Sequence, residues 1–312
     1  MALKEEFFFL SSDGVHRVHA CCWRPSSGAP RAVVQLVHGI SEYVERYGHF
    51  AFFMAEHGIA VVGHDHLGHG ETALREEEYG YFGDRDGWLH LTQDTHALCE
   101  KAHREFPDTP YFLMGHSMGS FVARTFLIDY PGAVDGCILS GTGQEPAALI
   151  LLGQVLSGAI KKCKGGQYVS KTVTALSLGA YNRKFRPNRT SADWISRDEQ
   201  VVDAYVADPL CRFVPTVGMF HDMMGGLRYI ARAENLKKMD PDTPIYFFSG
   251  SSDPVGGFGK GVRKVAGQFR RAGCRDIEVR LYPEGRHEML NEINRSEVYD
   301  DILGWIDRRL GE

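Results

Sequence analysis

Tyr111-Phe112-Leu113-Met114-Gly115-His116-Ser117-Met118-Gly119-Ser120-Phe121 is the stretch on which the reading of the fold turns. Tyr111–Met114 is an apolar run of strand length, and Phe121–Tyr130 has the pattern of a helix stopped by Pro131. Between them two glycines bracket a serine, in a G-x-S-x-G arrangement. Glycine lacks a Cβ and so permits a turn too tight for other residues. A serine on such a turn is lifted above the end of its strand, with the start of the next helix behind it. The five-residue pattern recurs by chance, but between a strand and a helix it predicts a presented nucleophile at Ser117 rather than a plain connecting turn.

The same alternation extends in both directions. Upstream, Ala32–Val37 is a β-branched apolar run ending in His38-Gly39, Val44–His57 reads as a helix closed by Gly58, and Ile59–Gly63 is a second buried strand. Leu89–Phe106 is a helix stopped by Pro107, and Phe7–Leu10 with Val15–Trp23 form a hairpin around Ser11-Ser12-Asp13-Gly14. Downstream, Gly136–Ser140, Ile245–Ser249 and Ile277–Tyr282 are strands, Val262–Ala272 is a helix, and Val298–Leu310 is the last helix. Strands alternating with helices predict an α/β class, a mostly parallel sheet with helices on both faces. Residues 143–215 break the pattern: they lack buried strand runs and offer the apolar stretch Ala147–Ile160 and several short helical pieces. A structureless loop of that length is uncommon in a compact domain. The expected organisation is therefore a core over 1–142, an inserted helical cap over 143–215, and the rest of the core over 216–312.

A serine hydroxyl needs a base to become a nucleophile, and the base needs an orienting acid. Both should lie on loops at the carboxyl ends of strands. Ile245–Ser249 runs into Gly250-Ser251-Ser252-Asp253, and Ile277–Tyr282 runs into Pro283-Glu284-Gly285-Arg286-His287, which selects Asp253 and His287. Asp240 and Asp242 precede their strand and belong to its other end. Acyl transfer also needs donors for a developing oxyanion. The backbone N–H of Met118, just after the nucleophile, is one; the N–H of Ile40, in the loop after the first buried strand, is the other. His64-Asp65-His66-Leu67-Gly68-His69-Gly70 admits two readings, a metal loop or a glycine-rich turn after a strand. No second ligand cluster accompanies it, so the turn is preferred and no metal is expected.

Composition narrows the function classes. Over 312 residues, 43% hydrophobic and 24% charged residues are ordinary for a globular protein with a core. A net charge of -5 argues against nucleic acid as a partner, because such binding rests on neutralised phosphates. The Ala147–Ile160 stretch is too short and too interrupted to span a bilayer, and the acidic start, Lys4-Glu5-Glu6, does not resemble an export signal. Seven scattered cysteines without a C-x-x-C pair fit small buried hydrophobes in a reduced, cytoplasmic setting.

With these residues in place, the chain resembles the α/β-hydrolases of the monoacylglycerol lipase and lysophospholipase type, grouped with the serine aminopeptidase-like hydrolases. The matching pieces are His38-Gly39-Ile40-Ser41-Glu42 with Arg46-Tyr47, Asp65 with Gly68-His69-Gly70, the serine elbow, Gly250 with Asp253-Pro254-Val255, and His287-Glu288 with Asn291-Glu292. The resemblance implies an α/β-hydrolase fold with Ser117 as nucleophile, His287 as base, Asp253 as its orienting acid, and Ile40 and Met118 as oxyanion donors. It makes the histidine-rich loop a structural turn.

The expected activity is hydrolysis of a carboxylic ester, monoacylglycerol- or lysophospholipid-like, through an acyl-enzyme and without a cofactor. The cap would choose the substrate: Leu149, Ile150, Leu151, Leu152, Val155 and Leu156 could line an acyl pocket, touch a membrane surface transiently, or simply pack on neighbouring helices. Lys161, Lys162 and Lys164 beside them could meet anionic headgroups or form a solvated face. Aromatic residues (Tyr168, Tyr181, Phe185, Trp194, Phe213, Phe220) could suit the pocket to aryl esters. One alternative is an amide-cleaving aminopeptidase, with Glu145, Asp193, Asp198 or Asp203 holding the substrate amine. Another is a non-catalytic binding protein on the hydrolase fold.

Overall fold

The computed structural model describes residues 2–176 and 178–311. Eight strands, β1 (Ala2–Leu10), β2 (Arg17–Pro25), β3 (Ala32–Val37), β4 (Ile59–His64), β5 (Tyr111–His116), β6 (Gly136–Ser140), β7 (Ile245–Gly250) and β8 (Ile277–Tyr282), form one sheet in the order 1-2-4-3-5-6-7-8. β2 pairs antiparallel with β1 and β4, and the remaining neighbours run parallel. Helices cover both faces, as the α/β reading predicts.

The strands read as unbroken apolar runs because both faces are covered, and successive side chains serve opposite cores. Val33 and Val37 of β3, with Tyr111 and Leu113 of β5, join the core under α2 (Gly87–Glu105), α3 (Met118–Asp129) and α10 (Lys260–Ala272). Val34 and Leu36, with Phe112 and Met114, join the core under α1 (Gly48–Glu56) and α11 (Arg295–Leu310). Gln35, the polar exception in β3, accepts a hydrogen bond from Tyr111 Oη at 2.6 Å and donates one to Thr95 O at 2.8 Å.

Three local expectations need adjustment. β1 begins at Ala2 rather than Phe7. Its charged first half suits an exposed edge, and full-length pairing with β2 holds it extended. The helix expected over Val44–His57 is a 3₁₀ turn, Val44–Tyr47, followed by α1. Helix α3 starts at Met118, directly after the serine.

Between β6 and β7 lie α4 (Ala147–Lys164), α5 (Lys171–Leu176), α6 (Leu178–Tyr181), α7 (Glu199–Ala207), α8 (Val217–Ala231) and α9 (Ala233–Leu236). Helix α8 has no counterpart in the sequence reading. Its Gly225-Gly226 pair lowers helix propensity, but a Cβ at Gly226 would stand 2.2 Å from the Trp88 ring, so close packing requires the glycine. Helix α4 packs along α8. Among the described residues no helix is long and apolar enough to cross a membrane.

Candidate active site

The carboxyl ends of β3, β5, β7 and β8 converge, and the predicted residues lie on the loops that leave them. Ser117, between β5 and α3, has φ 53° and ψ −121°, a conformation that non-glycine residues rarely hold and that costs on the order of 1–3 kcal/mol. The bracketing glycines make it feasible. A Cβ at Gly115 would meet Gly119 O at 2.4 Å, and one at Gly119 would meet Val37 O at 2.0 Å. Ser117 Oγ makes no hydrogen bond to a described residue and opens onto a cavity that Ile40 and Met118 also line. Contacts of this kind often form only with substrate in place.

Asp253 is fully buried on the loop after β7. Its Oδ2 accepts from Ser249 Oγ at 2.7 Å, and its Oδ1 accepts from Val255 N–H at 2.9 Å and from His287 Nδ1 at 3.0 Å. Burial opposes its charge, but His287 and the hydrogen bonds outweigh that and hold the carboxyl below its ordinary value. For His287 burial disfavours the cation, while the charge and hydrogen bond of Asp253 prevail and raise its pKa. With Nδ1 committed to Asp253, Nε2 is the nitrogen left for proton exchange.

Gly39 brings the loop after β3 against the elbow: a Cβ there would lie 3.0 Å from Ser117 Cβ. The Gly39 N–H is taken by Glu42 Oε1. The amides of Ile40 and Met118 donate no hydrogen bond among the described residues, so two free donors flank the serine. Glu42 continues into a buried network. Arg46 donates to Glu42 Oε2 at 3.1 Å and to both oxygens of Glu288 at 2.9 and 2.8 Å, while Tyr47 Oη donates to Glu42 at 3.0 Å and Asn291 to Glu288 at 2.9 Å. Burial raises the Glu42 carboxyl; at Glu288 the guanidinium of Arg46 overcomes burial and lowers it. These charges tie the loop carrying Ile40 to the loop carrying His287.

The histidine-rich loop is a turn built on Asp65. Its carboxylate accepts from Val44 N–H at 2.8 Å and Glu71 N–H at 2.9 Å and pairs with His19 Nδ1 at 2.8 Å. A Cβ at Gly70 would collide with that carboxylate at 2.2 Å. Burial holds His64 and His69 near pKa 4 and keeps His66 well below its ordinary value. Among the described residues, no group of three His, Cys, Asp or Glu side chains could hold a metal ion.

The cavity wall comes from α8, so of the readings left open for α4 the acyl-pocket lining is not the one observed. Phe220, Met223, Met224 and Leu227 of α8 line it, whereas none of the α4 residues named above does. In α4, Ile150 and Ser157 are the buried positions, and Leu149, Leu151, Leu152, Val155 and Leu156 face outward. Of the six aromatic candidates, Tyr181, Trp194 and Phe220 reach the cavity; Phe213 stacks on Tyr79 and Phe185 packs under Arg286. Of the four candidate amine anchors, Glu145 lines the cavity. Asp193 closes a turn with Thr190, Asp198 caps α7, and Asp203 pairs with Arg189.

Residues 28–294 match the family described as Serine aminopeptidase, S33 (Hydrolase_4). The chain is 29% identical over 311 residues to a monoacylglycerol lipase of Mycolicibacterium smegmatis, covering 97% of each chain. It is 25% identical to the human monoglyceride lipase, over 92% of this chain and 86% of that one. Among solved structures, a highly thermostable carboxyl esterase from Bacillus coagulans, in complex with glycerol, superposes with TM-score 0.91 at 30% identity, over 98% of this chain and 99% of the other.

Proposed function

This chain belongs to the Serine aminopeptidase, S33 (Hydrolase_4) family, has an α/β-hydrolase fold and is a carboxylic ester hydrolase, and from that premise we propose a Ser117-His287-Asp253 triad acting on monoacylglycerol- or lysophospholipid-like esters. The observation that carries the proposal is a strained serine and two free backbone amides at one cavity, with the buried Asp253–His287 pair reached through Trp194, which lines that cavity and lies 5.0 Å from the His287 ring. His287 Nε2 takes the proton of Ser117 Oγ as that oxygen attacks the ester carbonyl. The N–H groups of Ile40 and Met118 receive the oxyanion; losing one such donor typically costs roughly a hundred- to a thousandfold in turnover. His287 then protonates the leaving alcohol, and water repeats the sequence on the acyl-enzyme to release the acid. Asp253 holds the imidazole in the tautomer that keeps Nε2 unprotonated.

Residues 143–215 form the cap in this proposal, with α8 as the wall beneath it. The relatives' names support a lipid-like ester, and the apolar cavity wall supports an acyl group lying along α8. The outward leucines of α4, followed by Lys161, Lys162 and Lys164, support transient contact with a membrane surface. Six buried cysteines and one exposed, all free, support a reducing cytoplasmic setting.

The test is turnover of p-nitrophenyl esters of increasing acyl length, of 1-monoacylglycerol, of a lysophospholipid and of an aminoacyl anilide, with Ser117→Ala as the blank. Ester turnover abolished in that variant supports the triad. Cleavage of the anilide alone would transfer the site to the aminopeptidase reading, with Glu145 as the amine anchor.

A further inference from the structure

We infer that Trp194 is a positioning residue for His287, and that the cap segment Asp193–Arg197 is the clasp through which the cap orients the reactive imidazole. The inference rests on the reading of His287 as the base.

Close to ninety residues separate the two segments in the chain, yet they are joined along their length. The N–H of His287 donates to Trp194 O at 3.4 Å, and that of Glu288 donates to Ile195 O at 2.7 Å. Arg286 Nη1 donates to Ser196 O at 2.9 Å and also to Asp193 O. Ser196 Oγ donates to Asn291 O at 2.9 Å. Arg197 donates to both oxygens of the buried Glu292, from its backbone N–H at 3.1 Å and from Nε at 3.0 Å. The histidine loop is thus bound to the cap as well as to the sheet.

Within this clasp the Trp194 ring lies 5.0 Å from the His287 ring, tilted by 35°. From the sheet, the His116 ring lies 4.6 Å away. Trp194 is itself held: its backbone N–H donates to Asn182 Oδ1 at 3.1 Å, its ring meets Tyr181 at 5.1 Å, and it is 9% exposed. The same side chain lines the cavity onto which Ser117 opens.

A single hydrogen bond explains why such neighbours matter. The contact from Nδ1 to Asp253 holds the imidazole at one point, and the ring can still swing about its Cα–Cβ and Cβ–Cγ bonds. Turning carries Nε2 away from the serine. Two flanking rings, one from β5 and one from the cap, restrict that rotation. Misplacement of a reacting group by about 1 Å can cost on the order of a hundredfold in rate. Trp194 therefore contributes to turnover through the plane of its ring, apart from any contact with substrate.

The experiment uses the full chain with Ser117→Ala as the blank and compares Trp194→Phe, Trp194→Leu and Trp194→Met on p-nitrophenyl acetate, whose acyl group is too short to need the cavity wall. Melting temperature is recorded for each, and two non-planar variants are made so that a misfolded one does not decide the outcome. The expected result is kcat for phenylalanine within about threefold of wild type, and kcat for leucine and methionine lower by about ten- to a hundredfold with KM within twofold. A folded leucine or methionine variant with kcat within twofold of wild type overturns the inference. So does a phenylalanine variant as slow as the other two, or an effect confined to KM, which would make Trp194 a substrate wall only. Wild-type turnover in Ser117→Ala would instead overturn the triad reading itself, and with it this inference's premise.

Discussion

Replacing Gly119 by alanine probes the contact on which the whole elbow depends. The added Cβ would stand 2.0 Å from Val37 O, 2.6 Å from Val37 C and 2.5 Å from His38 O. Ordinary contact begins near 3.4 Å, so helix α3 and the end of β3 must separate by about 1.4 Å. Neither side can yield cheaply: the obstacles are backbone atoms, β3 is paired on both edges, and α3 is buried along nearly its entire length. Overpacking of this kind typically costs about 1–3 kcal/mol and here should reach the top of that range. The same displacement moves the Met118 amide and Ser117 away from the Ile40 amide. By the sensitivity of positioned groups, kcat/KM should fall by roughly a hundredfold or more in the fraction that remains folded. The assay is p-nitrophenyl butyrate turnover per folded molecule, with thermal unfolding followed by circular dichroism on the same preparation. Gly304→Ala is the control. It lies inside α11 with only the flexible end of Arg308 at 3.8 Å, and should add about 0.5–1 kcal/mol of stability without touching activity. A Gly119→Ala protein that melts within 2 °C of wild type and retains kcat/KM within threefold would refute the reasoning.

Other consequences can be checked in parallel. Asp253→Asn should leave the protein folded but reduce kcat by about ten-thousandfold, because the amide favours the wrong imidazole tautomer; steady-state kinetics on a short ester checks this. His287 must be neutral to act as base and its pKa is raised, so kcat/KM should fall on acidification with a midpoint above the ordinary 6.5, as a pH–rate profile would show. At Asp65, burial opposes the charge on His19 but the hydrogen bond and charge of the carboxylate prevail and bring it to about 10. The stability this pair supplies is whole between pH 3.8 and 6.5, is lost as pH rises toward about 10, and is lost again in acid as Asp65 takes up a proton; urea unfolding should show the alkaline decline in the wild type and its absence in Asp65→Asn. Leu152 and Val155 are 62% and 61% exposed on α4, so the double replacement by serine should leave soluble-ester kcat unchanged while weakening cosedimentation with anionic vesicles.

The elements that sequence reveals on its own are those whose cause is local or periodic. Tyr111–Met114 and Ala32–Val37 read as strands because burial on both faces demands unbroken apolar residues, and Gly115 and Gly119 mark the elbow because a side chain at the first would strike the start of the helix and one at the second would strike Val37. Asp253 and His287 are legible by the same logic, since loops leaving parallel strands must gather at one edge. Tertiary structure decided the rest. It chose α8 over α4 as the cavity wall: α8 packs on α3 and α2, and its fit against Trp88 requires Gly226, in a helix that propensity alone disfavours. It admitted Glu145 to the cavity and spent Asp193, Asp198 and Asp203 on local turns and pairs, a distinction four carboxylates cannot show in a linear chain. The contacts of Arg46 with Glu288 and of Trp194 with His287 join residues 242 and 93 positions apart. Such pairs leave no periodic trace in sequence, because only the closed fold brings their side chains out of water together.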